Sequence, residues 1–396
     1  MAKTRVFHFL GSGGGGVLSV VCNLLKYSVN ADIENHVIYT VNKSVAPHFK
    51  PYQLTGAVTE QVFFYSANWN FYYTCKQLLK LLPGPDVLIV AHDWIELGMM
   101  SCLGLQNLVI FFVHGDYSYY YQLAEKHEKV IDMFIPVANN IAIKLKNILP
   151  YRTADISYLR FPVPEVFYND GAKKNGNIIF VGRCETEKGY HLLPIIAKRI
   201  VDKGINIQWH IAGNEDEHSN DAILWDERIK VSFLGNIPNI ELLKLLHGMQ
   251  VIILPSIAEG MPVSLIEAMK AGVIPVVNDI PGGIQELIVN NETGYKITGN
   301  EVDGYVDKII EVVGNDNTAK YLRQNCITVA NQWFDPINNT NTIEEAFVTL
   351  NNIPRKKKLA NKVYGSRMDE PWIPNMITRL YRQYRRLPNP AKVVSK

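Results

Sequence analysis

Two glutamates eight positions apart flank a predicted turn and helix start. Glu259 precedes Gly260, which permits a sharp turn, and Pro262, which suits a first helical turn because it has no amide hydrogen to donate. Glu267 then lies about one turn inside the helix. The two carboxylates can therefore reach different parts of one ligand that lies across the start of the helix.

The start of this helix is also a candidate anion site. The backbone amides of Met261, Val263 and Ser264 would point outward, where free N–H groups and the helix dipole favour negative charge. Each glutamate alone has an ordinary explanation. Glu259 can simply complement the helix dipole, and Glu267 can belong to a solvated helix face.

Two cations follow the first predicted strand of the second half of the chain. Arg183 ends that strand, and Lys188 lies five residues later at the predicted start of the next helix. Such cations suit a diphosphate, because arginine binds phosphate oxygens in a bidentate manner and lysine acts as a point charge. A simple surface location stays open for either residue alone. It is much less expected for both cations together with both glutamates.

A glycine run follows the first predicted strand and opens the first predicted helix. Residues 11–16 read GSGGGG, which satisfies the dinucleotide fingerprint G-x-G-x-x-G. The second strand ends YTVNK, without the acid that binds ribose in NAD proteins, so an NAD site is disfavoured. We interpret Gly13 to Gly16 as backbone that approaches a phosphate or a sugar closely. A tight strand-to-helix turn is the alternative.

Short apolar runs alternate with stretches of helical spacing along the chain. The predicted strands are residues 5–10, 36–41, 86–91, 108–113, 130–137, 177–181, 205–211, 230–234, 251–254 and 274–277. This alternation predicts an α/β protein with two Rossmann-like, doubly wound domains, residues 1–160 and 177–350, joined by a linker at 161–176. Parallel sheets bind ligands at the carboxyl ends of their strands, so the two domains should face an interdomain cleft.

These segments together resemble the retaining glycosyltransferases of family 4, which have the GT-B fold. The E-x7-E motif of that family matches Glu259 and Glu267. The remaining matches run in the expected order from about residue 5 to 350. They are the glycine loop, His114 after the fourth predicted strand, Gly182 and Arg183, Lys188 and Gly189, and the G-G-x-x-E stretch at residues 282–286.

The resemblance implies catalytic and binding roles. Arg183 and Lys188 would hold the diphosphate and stabilise it as a leaving group. Glu259 would contact the donor sugar, Glu267 would bind the ribose hydroxyls, and His114 would lie across the cleft beside the sugar. The other implied donor-binding positions are Gly13, Gly14, Gly15, Gly16, Gly182, Asn214, Ile237, Gly260, Met261, Pro262 and Val263.

The implied reaction moves a sugar, with retention, from a nucleoside-diphosphate sugar to a glycan or lipid-linked glycan. UDP-sugars are preferred over GDP-mannose, and bacterial surface polysaccharide or lipopolysaccharide synthesis is the expected setting. No base residue is obvious, no Asp-x-Asp is present, and we expect neither a metal nor a cofactor. The alternatives are a nucleotide-sugar epimerase or hydrolase of the same architecture, and a non-catalytic nucleotide-binding module. Both glutamates and both cations disfavour the last.

Two further groups have open interpretations. His92 and Asp93 end a predicted strand and either line the cleft or form a simple turn. Tyr117, Tyr119, Tyr120 and Tyr121 follow His114, where they either stack on an acceptor sugar or pack internally.

Composition indicates an ordinary globular protein. The chain has 396 residues, 47% of them apolar and 20% charged. Its five scattered cysteines predict free thiols in a reducing compartment. Neither a signal peptide nor an apolar run long enough to span a bilayer is visible, so we expect a cytoplasmic protein.

Residues 351–396, here called the C-terminal basic segment, carry a charge opposite to that of the rest. They hold twelve Lys/Arg and two Asp/Glu, whereas the remainder holds 28 and 36 and is not expected to bind nucleic acid. We expect an amphipathic helix with interleaved arginines, which either binds an anionic membrane surface on the inner face of the cell membrane or packs on the acidic body. Its apolar residues at near-helical spacing are Trp372, Ile373, Met376, Ile377, Leu380, Tyr384 and Leu387.

Overall fold

Two six-stranded parallel β-sheets form the framework of the protein. The computed structural model describes residues 3–166, 176–213, 225–364 and 366–386. The strands are β1 Thr4–Gly11, β2 Ile33–Asn42, β3 Ala57–Tyr65, β4 Leu88–Ala91, β5 Val109–Val113, β6 Met133–Pro136, β7 Ile178–Val181, β8 Gln208–Ala212, β9 Lys230–Gly235, β10 Val251–Leu254, β11 Ile274–Asn278 and β12 Tyr295–Ile297.

Helices alternate with the strands along the chain. They are α1 Gly16–Lys26, α2 Phe71–Leu79, α3 Trp94–Leu103, α4 Ser118–His127, α5 Asn139–Ile148, α6 Leu193–Asp202, α7 Asn239–Leu246, α8 Val263–Lys270, α9 Gly283–Leu287, α10 Val302–Gly314, α11 Asp316–Trp333, α12 Pro336–Asn351 and α13 Asn375–Arg386. Short 3₁₀ helices occupy Pro150–Asp155, Thr186–Lys188, Tyr190–Leu192, Thr298–Asn300 and Arg367–Asp369.

The two sheets share one topology. Their strand orders are β3-β2-β1-β4-β5-β6 and β12-β11-β10-β7-β8-β9, so in each sheet the first strand lies beside the fourth. The strand order reverses at that point, where open α/β sheets place their ligands. The predicted α/β class with two doubly wound sheets is thus confirmed.

Two strands are absent from the sequence-based prediction. β3 is an edge strand whose residues are mostly half-buried or exposed and whose apolar run, residues 62–65, follows a polar stretch. β12 has only three residues, with Lys296 between its two apolar side chains. Because β3 is present, His114 follows the fifth strand in the chain and not the fourth.

The two domains share a continuous apolar core. The largest buried cluster contains Val113 from β5 of the first domain and Ile266 from α8 of the second. Helix α1 also contacts α8 directly. The domains are therefore packed against each other, and the cleft between them is narrow at this point.

A buried lysine binds the two chain segments that connect the domains. Lys270, at the end of α8, is fully buried, and its Nζ donates hydrogen bonds of 2.8 Å to the carbonyls of Val163 and Phe334. Residues 163 and 334 belong to the two connections between the domains. Of the predicted linker, residues 167–175 lie outside the described part of the chain.

The chain from α12 onward returns to the first domain. The sequence predicts residues 337–350 as part of the second domain, but α12 contacts α1 and β1 of the first. In the C-terminal basic segment, Lys358 Nζ donates to the carbonyls of Asn107 and Val130 at 2.7 Å and pairs with Asp132. The described part of this segment therefore packs on the first domain. Among the described residues, no helix is both long and apolar enough to cross a membrane.

We predict that Lys270→Met destabilises the protein by about 2–3 kcal/mol, because it leaves two buried carbonyls without donors. Burial lowers the pKa of Lys270 from 10.5 to about 8. The folded protein therefore releases this proton at lower pH than the unfolded chain, and the wild type gains stability as pH rises above 8. Denaturant unfolding should show that the stability gap between wild type and variant widens from pH 7.5 to 9.5.

The exposed Lys244 of α7 provides the matched control. Lys244→Met should leave the free energy of unfolding within about 0.5 kcal/mol of wild type. An equal loss in both variants would contradict the structural role of Lys270.

Candidate functional site

Lys188 and Glu259, which come from different motifs, form a direct ion pair. Lys188 Nζ lies 2.8 Å from Glu259 Oε1, and the two side chains are only 15% and 11% exposed. Lys188 ends the 3₁₀ helix Thr186–Lys188, and Glu259 lies on the loop between β10 and α8. A buried pair of opposite charges is strongly coupled, so a ligand that binds one partner must rearrange the other.

The loops that carry these two residues are joined by close backbone contacts. The Ile257 amide donates to the Glu187 carbonyl at 2.9 Å. Gly189 has φ +71°, and a Cβ at this position would lie 2.1 Å from the Pro255 carbonyl oxygen. Only glycine fits there, so packing alone accounts for the glycine of the K-G motif at residues 188–189.

The first domain reaches the same place through the loop after β5. The Tyr117 hydroxyl donates to the Ala258 carbonyl at 3.1 Å. Burial raises the pKa of the Tyr117 phenol, the charges of Glu259 and Glu187 raise it further, and Arg183 lowers it. The charged residues of the second domain therefore surround a tyrosine of the first. Arg183 itself is largely exposed and pairs with Glu185 at 2.9 Å.

His114 and Gly260 bring the two backbones together. A Cβ at Gly260 would lie 2.0 Å from the His114 carbonyl oxygen, so no side chain fits between the domains here. The Gly260 carbonyl in turn accepts a hydrogen bond from the Gly283 amide. His114 is thus placed directly against the turn that follows Glu259.

His114 is paired with a second histidine. Its Nε2 lies 2.8 Å from Nδ1 of His92, the residue that follows β4. Burial lowers the pKa of His114 to about 3 and holds that of His92 well below its usual value. Both rings are therefore neutral at physiological pH, so they can donate or accept hydrogen bonds but add no positive charge. Asp93, beside His92, caps α3 in a capping box with Glu96.

Glu267 lies deeper in the second domain, and its environment makes it titrate near neutrality. The side chain is buried within α8, and Oε1 accepts a 2.8 Å hydrogen bond from Asn239 Nδ2. Burial raises the pKa of Glu267 to about 7, while the bond from Asn239 acts in the opposite direction. Asn239 was not among the predicted residues. Its only signal in the sequence is its place directly after residues 235–238, which read GNIP and precede α7.

The glycine loop borders open space. A Cβ on any of Gly13, Gly14, Gly15 or Gly16 would meet no other atom within 4 Å. Gly15, the N-cap of α1, is the one of the four with a positive φ, +106°. Close packing therefore does not explain the run of glycines, which leaves room for a ligand beside the backbone.

The other predicted donor-binding positions have mixed environments. Gly182 is closely covered, because a Cβ on its neighbour Gly213 would lie 1.8 Å from the Gly182 carbonyl oxygen. Ile237 is half-buried against the core. Met261, Pro262 and Val263 are buried, and Pro262 is the N-cap of α8. Asn214 lies outside the described residues.

The G-G-x-x-E stretch joins the domains. Glu286 Oε1 accepts a 2.7 Å hydrogen bond from the Asn140 amide at the start of α5, and Asn140 Nδ2 donates to the Gly282 carbonyl at 3.2 Å. The stretch therefore has an interdomain role in addition to any contact with a ligand. Within the described ranges, no group of three or more His, Cys, Asp or Glu could hold a metal ion.

Comparison with known proteins finds a family match in the second domain. Residues 167–329 match the family model described as glycosyl transferases group 1. This range holds Gly182, Arg183, Lys188, Glu259 and Glu267. The match covers less than half of the chain.

Curated relatives are similar over the same part. The 2-deoxystreptamine N-acetyl-D-glucosaminyltransferase of Niallia circulans is 31% identical over 153 residues, which are 37% of this chain and 38% of that protein. The UDP-Gal:alpha-D-GlcNAc-diphosphoundecaprenol alpha-1,3-galactosyltransferase of Escherichia coli is 24% identical over 190 residues, 46% of this chain and 47% of that protein. Each match thus spans less than half of the relative.

Solved structures extend the similarity to both domains. The Anabaena protein HepE, solved with UDP and glucose, superposes with a TM-score of 0.70 at 14% identity and covers 88% of this chain and all of that one. At this identity the likeness shows the fold alone. The fold is GT-B, and the relatives of the second domain support a glycosyltransferase.

We predict that nucleotide affinity depends on the ionisation of Glu267. Above pH 7 the carboxylate can accept hydrogen bonds from ribose hydroxyls, whereas below pH 7 it is mostly protonated. Calorimetry with UDP should therefore give roughly tenfold weaker binding at pH 6 than at pH 8. In Glu267→Gln this tenfold change in affinity should disappear. Only the change caused by titration of the UDP phosphate, which affects both proteins equally, should remain. An identical pH profile in both would show that Glu267 does not contact the nucleotide.

Proposed function

We propose that this protein is a retaining glycosyltransferase that moves a sugar from a UDP-sugar to a glycan or lipid-linked glycan in bacterial surface polysaccharide synthesis. The observation that carries the proposal is the buried Lys188–Glu259 pair, which lies against the neutral His114 of the opposite domain. A cation, an anion and a neutral hydrogen-bonding group thus meet where the carboxyl ends of the two sheets face each other.

Glycosyl transfer requires groups that stabilise both negative and positive charge. Breaking the bond between the sugar and the phosphate builds negative charge on the departing diphosphate and positive charge on the sugar ring. Lys188 and the exposed Arg183 can stabilise the diphosphate, and Glu259 can stabilise the ring. In a front-side mechanism the departing phosphate accepts the proton of the acceptor hydroxyl, so no separate base is needed.

Binding of the donor would divide the ion pair. The diphosphate would form an ion pair with Lys188, and Glu259 would contact the sugar. Neither the ammonium nor the carboxylate would then stay buried without a partner. The open space beside Gly13 to Gly16 would receive the phosphates, and Glu267 would hold the ribose. The neutral state of His114 suits a hydrogen bond to a sugar hydroxyl.

A separate cavity between the first domain and the C-terminal basic segment suits the acceptor. It has a volume of about 390 Å³ and is lined by Trp69, Phe71, Trp94, Lys126 and Arg382, among others. Trp94 begins α3 directly after Asp93 and therefore lies at the edge of the sheet that faces the cleft. Aromatic walls suit sugar faces, and the lysine suits an anionic group such as the diphosphate of a lipid-linked glycan.

We predict that Lys188→Ala and Glu259→Ala each reduce turnover tenfold or more, because each removes one charge that stabilises the transition state. Release of nucleoside diphosphate from a UDP-sugar, with and without acceptor glycan, is the measurement. Lys198→Ala, in an exposed pair with Asp202, is the matched control and should retain wild-type turnover. Circular dichroism should show that all three variants are folded.

The same assay separates the alternatives. Release at full rate without acceptor would indicate a hydrolase, and conversion of the sugar without release would indicate an epimerase. Wild-type turnover in Lys188→Ala would exclude the proposed site.

We predict that UDP-sugars stabilise the protein more than GDP- or ADP-sugars do. A ligand at 100 times its dissociation constant stabilises the folded state by about 2.7 kcal/mol, which a thermal-shift panel resolves. Glu267→Gln should reduce the shift for all nucleotides alike, because ribose is common to them. A larger shift with a GDP-sugar would overturn the preference for UDP.

A further inference from the structure

Helix α13 lies on the first domain through one narrow face. Thr378 is fully buried and its hydroxyl donates to the Met368 carbonyl at 2.7 Å, while Arg382 pairs with Asp369 at 2.8 Å. One turn earlier, Asn375 Oδ1 accepts from the Asn70 amide at 2.8 Å. Positions 375, 378 and 382 have the spacing of one helix face, and that face is polar.

The segment before the helix is fixed as firmly. Asn70 Nδ2 donates to the carbonyls of Met368, Glu370 and Ile373 at 2.9 to 3.1 Å, and the Phe71 amide donates to Asp369 at 2.7 Å. These contacts hold α13 in one orientation on the start of α2. The direction of its opposite face is therefore set by the fold.

That opposite face is apolar and exposed. Met376, Leu380 and Tyr384 follow each other at four-residue spacing, and Ile377 and Tyr381 lie beside them on the helix surface. Met376, Leu380, Tyr384 and the preceding Trp372 are between 59% and 77% exposed. Five large apolar side chains on one helix thus face solvent, whereas its polar face is packed on the protein, the reverse of an ordinary surface helix.

Basic side chains flank the apolar face. On a helical wheel, Arg379 lies beyond one edge of the apolar arc and Arg385 beyond the other. Both are exposed, and neither forms an ion pair with the residues that the structure describes. Such arginines can extend to lipid headgroups while the apolar side chains enter the acyl boundary, with tryptophan at the interface.

We propose that the exposed face of α13, together with Trp372, binds the surface of a bilayer that contains anionic phospholipids. The charge of the C-terminal basic segment, twelve Lys/Arg against two Asp/Glu, is complementary to such a surface. The helix lies along the surface, and its polar face stays packed on the first domain. Leu387, which continues the apolar pattern, lies outside the described residues.

The position of α13 also places the membrane surface near the cavity that the first domain and the C-terminal basic segment share. Arg382, on the packed face of α13, lines that cavity, so a membrane bound to the opposite face would lie one helix diameter away. This consequence rests on the proposed function, since it concerns a lipid-linked acceptor. Membrane binding itself does not depend on it.

Co-sedimentation of the full-length protein with vesicles tests the proposal. Vesicles of phosphatidylglycerol and phosphatidylcholine should bind the wild type, and vesicles of phosphatidylcholine alone should bind it far less. Leu380→Ser/Tyr384→Ser should weaken binding to the anionic vesicles tenfold or more, because it removes two side chains from the acyl boundary. Arg379→Gln/Arg385→Gln should weaken it roughly fivefold per arginine, and added salt should have the same effect.

A matched pair of substitutions elsewhere controls for loss of apolar surface. Ile143→Ser/Tyr321→Ser alters two side chains of α5 and α11 that are 50% and 56% exposed, and it should bind like the wild type. All altered positions are exposed, so melting temperatures should agree within about 2 °C. Because the readout is vesicle binding, the outcome is independent of any glycosyltransferase activity.

Three results would overturn the proposal. The first is equal binding of wild type and Leu380→Ser/Tyr384→Ser to anionic vesicles. The second is an equal loss in the control pair. The third is self-association of the wild type in vesicle-free solution that the α13 variant abolishes, which would show that the face binds a second copy of this chain.

Discussion

The close approach of Gly260 to the carbonyl of His114 is the constraint on which the candidate site depends. Two sheets of the same topology face each other with the carboxyl ends of their strands, and at this point their backbones touch with no side chain between them. Any bulkier residue would separate the domains and move His114 away from Glu259. The hydrogen bond from Tyr117 to the Ala258 carbonyl and that from the Asn140 amide to Glu286 both require the same separation.

Burial at this contact decides which groups are charged. The histidines beside the cleft stay neutral, whereas Lys188 and Glu259 meet as a pair that offsets the loss of solvent around each. Burial holds Glu267 at the boundary between its two protonation states, because the hydrogen bond from Asn239 and the charge of Lys270 only partly offset the loss of solvent. The site is thus built from a compensated ion pair, neutral hydrogen-bonding rings and a carboxyl group sensitive to pH. This combination suits a ligand that brings its own negative charge.

The connections between the domains are stabilised by hydrogen bonds from a buried lysine. Lys270 binds one carbonyl of each connection, and the chain beyond α12 returns along the first domain to α13. The C-terminal basic segment is fixed there mainly through backbone carbonyls, with Asn70 as one donor and Lys358 as another. Since these contacts use the polar face of α13, they leave its apolar face exposed. The expected packing on the body is therefore present, and it leaves the apolar face of the helix free.

The sequence alone determined the class of the fold and identified the candidate site residues. Continuous apolar runs identify central parallel strands such as β10, and the spacing of Glu259, Glu267, Arg183 and Lys188 follows the local order of strand, turn and helix. Such signals depend only on neighbouring residues. The edge strand β3 and the short β12 gave a weaker signal, because polar residues precede the apolar run of β3 and β12 has only three residues.

Only the tertiary structure decided which of those residues meet. The pairing of Lys188 with Glu259, of His92 with His114 and of Asn239 with Glu267 joins positions that are 71, 22 and 28 residues apart. The shifted pKa of Glu267 and the neutral state of His114 also come from burial, which is a property of the packed molecule. For the same reason, the orientation of α13 could not be read from its pattern, since an apolar stripe does not reveal whether the protein or the solvent lies beside it.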